Sequence, residues 1–328
     1  KREYLPGTES PSWLPMFCGS AGRGRRKDKT TMGIAVLDVG TSSMRGILYN
    51  DKGQKRFTRQ ISYSPLYLGE GRVEQEPAVW DTAMTQAMRA CAQKAEEEKE
   101  DIKAIALTAQ RSSLILMGED GKPLGNAVMW QDRRNLGLLD ELMPYQERIA
   151  ELTGSRPNTV FSGPKMLWMK KNEPERYQKA VHLAVIPDFL IYQMTGIWVT
   201  DATYASRSLL MNLYTRQWDE ELLALFQIEK EKLSVIIQPG TIAGTVSRDW
   251  SEKTGIRQGT PVVSAGGDQQ CAALGMGVLQ TGSLEVSVGT GAFVLAASAE
   301  VPKGLRADVI CNASAIPGEY ILESSIPA

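Results

Sequence analysis

The residue best placed to do chemistry is Asp268. The stretch Thr260-Pro-Val-Val-Ser-Ala-Gly-Gly-Asp-Gln-Gln-Cys-Ala-Ala-Leu-Gly275 reads as a short buried strand that breaks at two glycines, presents a carboxylate and runs into a helix. Gly266 and Gly267 remove side chains where a ligand must approach the backbone. An acid at the carboxyl end of a strand, on a helix N-terminus, stands where α/β proteins place their ligand sites. Such a carboxylate can take a proton from a hydroxyl. Taken alone, it could as well N-cap the helix Gln269 to Leu274, a preference worth about 1 kcal/mol. Two further stretches favour chemistry. Ile34-Ala-Val-Leu-Asp-Val-Gly-Thr-Ser-Ser-Met-Arg-Gly-Ile-Leu48 is a strand, a Gly-Thr-Ser-Ser turn and a second strand. Ser283-Leu-Glu-Val-Ser-Val-Gly-Thr-Gly-Ala-Phe-Val-Leu-Ala-Ala297 repeats that layout, with Val39-Gly40-Thr41 matching Val288-Gly289-Thr290. Duplication of one hairpin is the simplest account. Turns of glycine and hydroxyl residues offer backbone N–H groups and short O–H donors to an anion, so two of them facing across a cleft can hold a polyphosphate from both sides.

Five stretches in this order, Asp38-Val-Gly-Thr-Ser-Ser-Met-Arg45, Trp130-Gln-Asp-Arg-Arg134, Ile186-Pro-Asp-Phe-Leu-Ile-Tyr-Gln-Met-Thr-Gly196, Gly266-Gly-Asp-Gln-Gln270 and Gly289-Thr-Gly-Ala-Phe293, resemble the FGGY carbohydrate kinases. These include the glycerol, xylulose, gluconate and autoinducer kinases, and the resemblance runs from Gly33 to the last residue. It implies an α/β chain with the actin-like ATPase (ribonuclease H-like) fold: a mixed sheet flanked by helices, with the second domain incomplete. It implies ATP and Mg²⁺ as cofactors and a sugar, ketose or polyol as acceptor. Asp268 would be the general base and, with Asp38, would face the hydrated metal, a hard cation that prefers carboxylate, water and phosphate oxygens. Gly40, Thr41, Ser42, Ser43 and Arg45 correspond to the first phosphate turn, and Gly289, Thr290 and Gly291 to the second. Gln110, Arg111, Trp130, Asp268, Gln269 and Phe293 would line the acceptor pocket. The match is incomplete, because Ser112 stands where glycerol kinases carry Glu, and Val160 stands where they place an aromatic before Phe-Ser-Gly. The Met-His pair of xylulose kinases is also absent, and Ala307-Asp-Val-Ile-Cys-Asn-Ala-Ser-Ala-Ile-Pro-Gly318 is faintly similar to autoinducer kinases, which leaves a linear polyhydroxy ketone or polyol as the expected class.

The elements that must position these residues follow from periodicity. Asp51-Lys-Gly53 turns the chain into a third antiparallel strand, Phe57 to Tyr63. Pro77 opens a helix whose Trp80, Ala83, Met84, Ala87, Met88, Cys91, Ala92 and Ala95 recur at helical spacing, so one face packs on the sheet. Ile102 to Ala109 returns as a buried strand that delivers Gln110 and Arg111 to the carboxyl edge. Helices are expected at Leu136 to Leu152, Pro164 to Lys171 and Pro187 to Met194, with another helical region from Asp201 to Leu210. The only histidine, His182, lies in a strand and is not expected to be catalytic.

The expected domains are a leader, 1–32, disordered or non-native; an FGGY N-terminal sugar-binding and catalytic domain, 33–277; and a truncated start of the ATP-binding domain, 278–328. Gly19-Ser-Ala-Gly-Arg-Gly24 in the leader has the glycine spacing of a P-loop but lacks its Lys-Ser/Thr, and no strand precedes it. With 37 basic and 38 acidic side chains the net charge is −1, so no global field draws the protein to nucleic acid or anionic lipid. No apolar run approaches the length of about 20 residues that spans a bilayer. Four cysteines without metal spacing suit a reducing cytoplasm. A homodimer stays open. Two rival readings remain. One is an actin-like ATPase switch with water as acceptor. The other is a sugar-binding fragment inactive as it stands, with kinase function residing in its parent.

Overall fold

The computed structural model describes residues 32–288 and 291–327. The expected leader lies outside the described residues except for Met32, and so do Gly289 and Thr290.

Strict alternation shapes the first strand, β1 (Met32–Val39). Ala35, Leu37 and Val39 are fully buried on one face, while Ile34 and Asp38 point from the other and stay partly exposed. β2 (Ser43–Asn50) folds back antiparallel with Asp38 opposite Arg45, and β3 (Lys55–Ser62) continues the meander, as expected from the turn residues. The strand Asp101–Ala109 then lies parallel to β1 on its other side. Pro261–Gly267 pairs parallel to that strand, and Thr241–Thr245 closes the edge antiparallel. The result is a six-stranded mixed sheet.

The registers decide where function can sit. Val39 and Gly267 both pair with Ala109, so three neighbouring strands reach their carboxyl ends at one level of one edge. The residues that follow them, Gly40-Thr41, Gln110-Arg111 and Asp268, emerge side by side.

Helix α1 (Pro77–Glu97) buries Trp80, Ala83, Met84, Ala87, Met88, Cys91 and Ala95 against this sheet, with Ala92 at the margin of the same stripe. It comes unusually close at Gly46 of β2. A Cβ there would stand 2.8 Å from the Ala87 carbonyl oxygen and 3.0 Å from Cys91 Sγ.

Besides two strand pairs, Val199–Asp201 with Val235–Ile237 and Met211–Asn212 with Gln217–Trp218, the described residues hold two further sheets. One joins Leu66–Gly69, Arg72–Gln75, Ala127–Val128, Leu114–Met117 and His182–Val185; the other is an antiparallel sheet of Leu284–Val288, Gly291–Ser298, Tyr320–Pro327 and Ile310–Ala313. The strands Leu284–Val288 and Gly291–Ser298 form a hairpin with the layout of β1 and β2. Helices stand at Ser162–Asn172 and Ile186–Thr195, the second ended by Gly196 in the left-handed region. The expected helix from Leu136 to Leu152 is instead four short pieces, Leu136–Leu138, Leu139–Leu142, Met143–Tyr145 and Gln146–Thr153. Pro144 has no N–H for the ladder, and its ring clashes with the preceding turn. The helical region expected from Asp201 is likewise brief: Ala202–Ala205, a tight turn Ser206–Ser208, then Leu209 at φ 65°.

The close approach of α1 predicts that Gly46→Ala costs about 1–3 kcal/mol through overpacking against the helix backbone. Urea unfolding measures it, and an unchanged midpoint at unchanged slope would contradict that packing.

Candidate functional site

The bend after β1 is held from three sides. The Gln110 N–H donates to the Val39 carbonyl at 2.7 Å and its side-chain amide donates to the Gly40 carbonyl at 3.1 Å. The Tyr63 hydroxyl donates to the same Gly40 oxygen at 2.7 Å, and the Gly40 N–H donates to the Ser43 carbonyl at 2.9 Å. The N–H groups of Thr41 and Ser42 make no hydrogen bond among the described residues. Thr41 Oγ1 accepts from the Trp130 indole at 3.1 Å, which ties the bend to the wall carrying Trp130. Asp38 and Arg45, opposite each other on the hairpin, pair at 3.1 Å.

At the neighbouring strand end, Gly266 adopts φ 119°, a conformation open to glycine. Its carbonyl accepts from the Tyr204 and Thr108 hydroxyls, and the Gly267 N–H donates to Thr203 Oγ1. A Cβ on Gly267 would lie 2.7 Å from Arg111 Cδ, so the second glycine makes room for that arginine. Asp268 begins the helix Asp268–Gly275 but does not cap it; the cap position belongs to Gly267. Asp268 Oδ1 accepts from the Gln269 N–H at 2.8 Å and stands 3.4 Å from Arg111 Nε. Its other oxygen makes no hydrogen bond among the described residues. Burial raises the Asp268 pKa, against the opposing pull of the Arg111 charge.

Both strand ends open on a cavity of about 430 Å³. Six residues expected at an acceptor pocket, Gln110, Arg111, Trp130, Asp268, Gln269 and Phe293, line it, together with Thr41. Asp38, Gly40, Ser42, Ser43 and Arg45 surround the bend without lining the cavity, and Gly291 starts the strand that carries Phe293. Gln110 is 2% exposed, and its amide is occupied by Gly40 and Ser113, so it braces the bend. From the Trp130 cluster only Trp130 reaches the cavity. Asp132 and Arg134 are buried in an ion network with Glu74 that also holds the Val73 N–H. His182 stacks on Trp198 away from the cavity.

Sequence reasoning did not find Arg207 and Glu323, which also line the cavity. Glu323 receives both Nη groups of Arg111, at 2.7 and 3.1 Å, and lies 3.8 Å from Arg207 Nη1. Burial alone would raise the Glu323 pKa, but the two guanidinium charges and the paired hydrogen bonds bring it down to about 2. Asp268, Arg111, Glu323 and Arg207 thus form a row of charges alternating in sign. The only signal in the sequence was an acid within the apolar strand Tyr320–Pro327; Arg207 had none.

No group of three or more acidic, His or Cys side chains gathers for a metal among the described residues. Asp38 and Asp268 are near enough to interact electrostatically. Two hard carboxylates with free oxygens suit an ion such as Mg²⁺, which keeps several waters and takes phosphate oxygens as its other ligands. No helix among the described residues is long and apolar enough to cross a membrane.

Comparison with known proteins agrees with this geometry. The family description "FGGY family of carbohydrate kinases, N-terminal domain" matches residues 33–275. The glycerol kinase of Thermococcus onnurineus is 35% identical over 269 residues, covering 80% of this chain and 53% of that protein. The chain therefore spans about half the length of the curated relatives it matches. Among solved structures, Plasmodium falciparum glycerol kinase with ADP superposes at TM-score 0.85 with 28% identity, over 91% of this chain and 62% of that one. Gluconate kinase from Lactobacillus acidophilus superposes at TM-score 0.85 with 26% identity, over 90% and 60%. The mixed sheet flanked by helices is the actin-like ATPase fold these kinases share. The chain belongs to the FGGY family of carbohydrate kinases.

Proposed function

We propose that this chain carries the acceptor site and the general base of a kinase that transfers the terminal phosphoryl group of ATP to a hydroxyl of a sugar, ketose or polyol. The carrying observation is that Asp268, with one carboxylate oxygen free of hydrogen bonds among the described residues, lines a cavity shared with Thr41, whose N–H, like that of Ser42, is unoccupied among the described residues. The acceptor lies against Trp130 and Phe293, with Arg111 and Gln269 donating to its oxygens. Asp268 accepts the proton of the attacking hydroxyl, the alcohol oxygen bonds to the terminal phosphorus, and the bond from that phosphorus to the bridging oxygen breaks, releasing ADP. Thr41, Ser42, Ser43 and Arg45 hold the phosphates, and the resemblance assigns Gly289, Thr290 and Gly291 to a second phosphate turn, of which Gly289 and Thr290 lie outside the described residues. Asp38 and Asp268 would hold Mg²⁺, which would supply charge neutralisation for the polyphosphate. Residues 33–277 form the acceptor domain and 278–328 begin the nucleotide domain.

Asp268→Asn is expected to lower kcat by about 10²–10⁴, the usual contribution of a general base, with acceptor binding nearly kept. ADP release measures this on the longest product of the reading frame, against a panel of polyols, ketoses and aldonates. A variant with kcat near the parent value refutes the base assignment, and ADP release independent of every acceptor refutes the kinase reading.

Arg111→Ala is expected to raise the acceptor KM much more than the ATP KM, and to move the acid limb of the pH–rate profile. The active form of Asp268 is the carboxylate, so activity climbs as pH rises through its pKa. Arg111 opposes the upward push of burial, so its removal shifts the limb to higher pH. A limb that stays in place or moves down contradicts the Asp268–Arg111 coupling.

A further inference from the structure

Arg207 is 5% exposed and lines the cavity, yet no nitrogen of its guanidinium makes a hydrogen bond among the described residues. Its nearest acid, Glu323, stands 3.8 Å away, beyond hydrogen-bond reach. That acid is already filled, since Arg111 binds both of its oxygens and Asn312 donates to one at 3.3 Å. Among the described residues the guanidinium therefore has no hydrogen-bond acceptor: Nε and Nη1 are buried without one, and Nη2 makes no hydrogen bond either. Leaving such a group unsatisfied is costly, and burial accordingly pulls the Arg207 pKa down to about 10.

The group is also held in one orientation. Its Cζ lies 4.8 Å from the centre of the Phe161 ring, itself buried, so the ring fixes the guanidinium plane. The Arg207 carbonyl accepts from Ser112 Oγ at 3.4 Å, and both Ser112 and Leu209 sit at positive φ, 71° and 65°. Left-handed backbone at non-glycine residues costs energy and persists where the surroundings impose it.

Along the charge row, Asp268 is one end and Arg207 the other, with Arg111 and Glu323 between them. A ligand whose hydroxyl meets Asp268 extends its far end toward Arg207. We propose, resting on the phosphoryl-transfer reading above, that Arg207 reads that far end and selects an oxygen that only accepts hydrogen bonds, a ketone carbonyl or a carboxylate, over a hydroxyl. A guanidinium only donates. A hydroxyl placed against it must also dispose of its own proton among neighbours already engaged: Glu323 is filled, Ser112 Oγ is bonded to the Arg207 carbonyl, Asn158 Oδ1 accepts from the Val160 N–H, and Ile310 and Val160 are apolar. A carbonyl or carboxylate leaves no proton stranded.

Isothermal titration of the 328-residue chain with short-chain alditols, 2-ketoses and aldonates, each in its available stereoisomers, tests this. In the unchanged chain a ketose or an aldonate binds at least about tenfold more tightly than the alditol of the same skeleton. The arm with the larger preference identifies carbonyl or carboxylate. Arg207→Gln weakens that ligand about 10- to 100-fold and the alditol by less than about threefold. Arg207→Lys, which keeps the charge beside Glu323 but loses the fork, weakens it by about tenfold. Glu323 keeps Arg111 in both variants, and thermal melting verifies their folding. Alditols that bind as well as ketoses and aldonates overturn the inference and leave the kinase reading intact. Equal losses for all three classes overturn it in the same way, because they mark a packing role. Absence of binding by every class overturns both.

Discussion

Two arginines and two acids, arranged so that each inner member sits between opposite charges, are what the cavity depends on. Taking one guanidinium and one carboxylate out of water costs several kcal/mol each, and an isolated pair seldom recovers it. Here the inner pair, Arg111 and Glu323, meets through two parallel bonds of 2.7 and 3.1 Å. Asp268 and Arg207 then flank that pair. The sum of the four charges is zero, so the cavity is walled by ions without a net charge. Glu323 gives the row its pH dependence. Its folded pKa of about 2 lies below the ordinary carboxylate value, so its stabilising share is present above that ordinary value and is lost as pH falls toward 2. The row also joins distant segments, since Arg111 follows the second strand of the central sheet's parallel trio while Glu323 lies on the last described strand.

The row would have nothing to serve if the strand ends were staggered. Because Val39 and Gly267 share Ala109 as partner, the bend and the acid emerge at one height, and Arg111 rises between them. That crowding explains the glycine pair before Asp268 better than turn formation does. Gly266 supplies a backbone angle, and Gly267 clears the path of the Arg111 stem. An acid that merely capped its helix would need neither.

What the sequence made legible is what local periodicity encodes. Alternation in β1, helical spacing in α1 and strand-to-turn breaks at Gly40 and Gly266 are properties of neighbouring residues, and each stands where it was expected. Asp268, Arg111, Trp130, Gln269 and Phe293 were legible too, and they line one cavity. The remainder was decided by tertiary partners. Asp132 and Arg134, the charges of the Trp130 stretch, had no role assigned, and Glu74 and the Val73 N–H draw them into a buried network. Gln110 lines the cavity as expected, but that its amide also holds the Gly40 carbonyl had no sign in the sequence. Arg207 gave no local sign, because its neighbours Ser206 and Ser208 form an unremarkable tight turn. Its role comes from Phe161 and Glu323, which no spacing relates to it.

The bond from the Trp130 indole to Thr41 Oγ1 bears on how the two halves of the proposed reaction communicate. Trp130 is a wall of the acceptor cavity, and Thr41 belongs to the bend proposed for the phosphates, so neither can shift without stretching a 3.1 Å bond. Gln110 adds a second tie, since it holds the Gly40 carbonyl and accepts from the Ser113 hydroxyl, which in turn accepts from the Trp130 N–H. An acceptor that settles against Trp130 thereby fixes the distance between its hydroxyl and the bend. In-line transfer needs that distance set before the phosphoryl group moves, because a catalyst that positions and neutralises has little other means of lowering the barrier. A water molecule in the cavity touches Trp130 too weakly to exert such control. The same two ties therefore favour a bulky hydroxylated acceptor over hydrolysis.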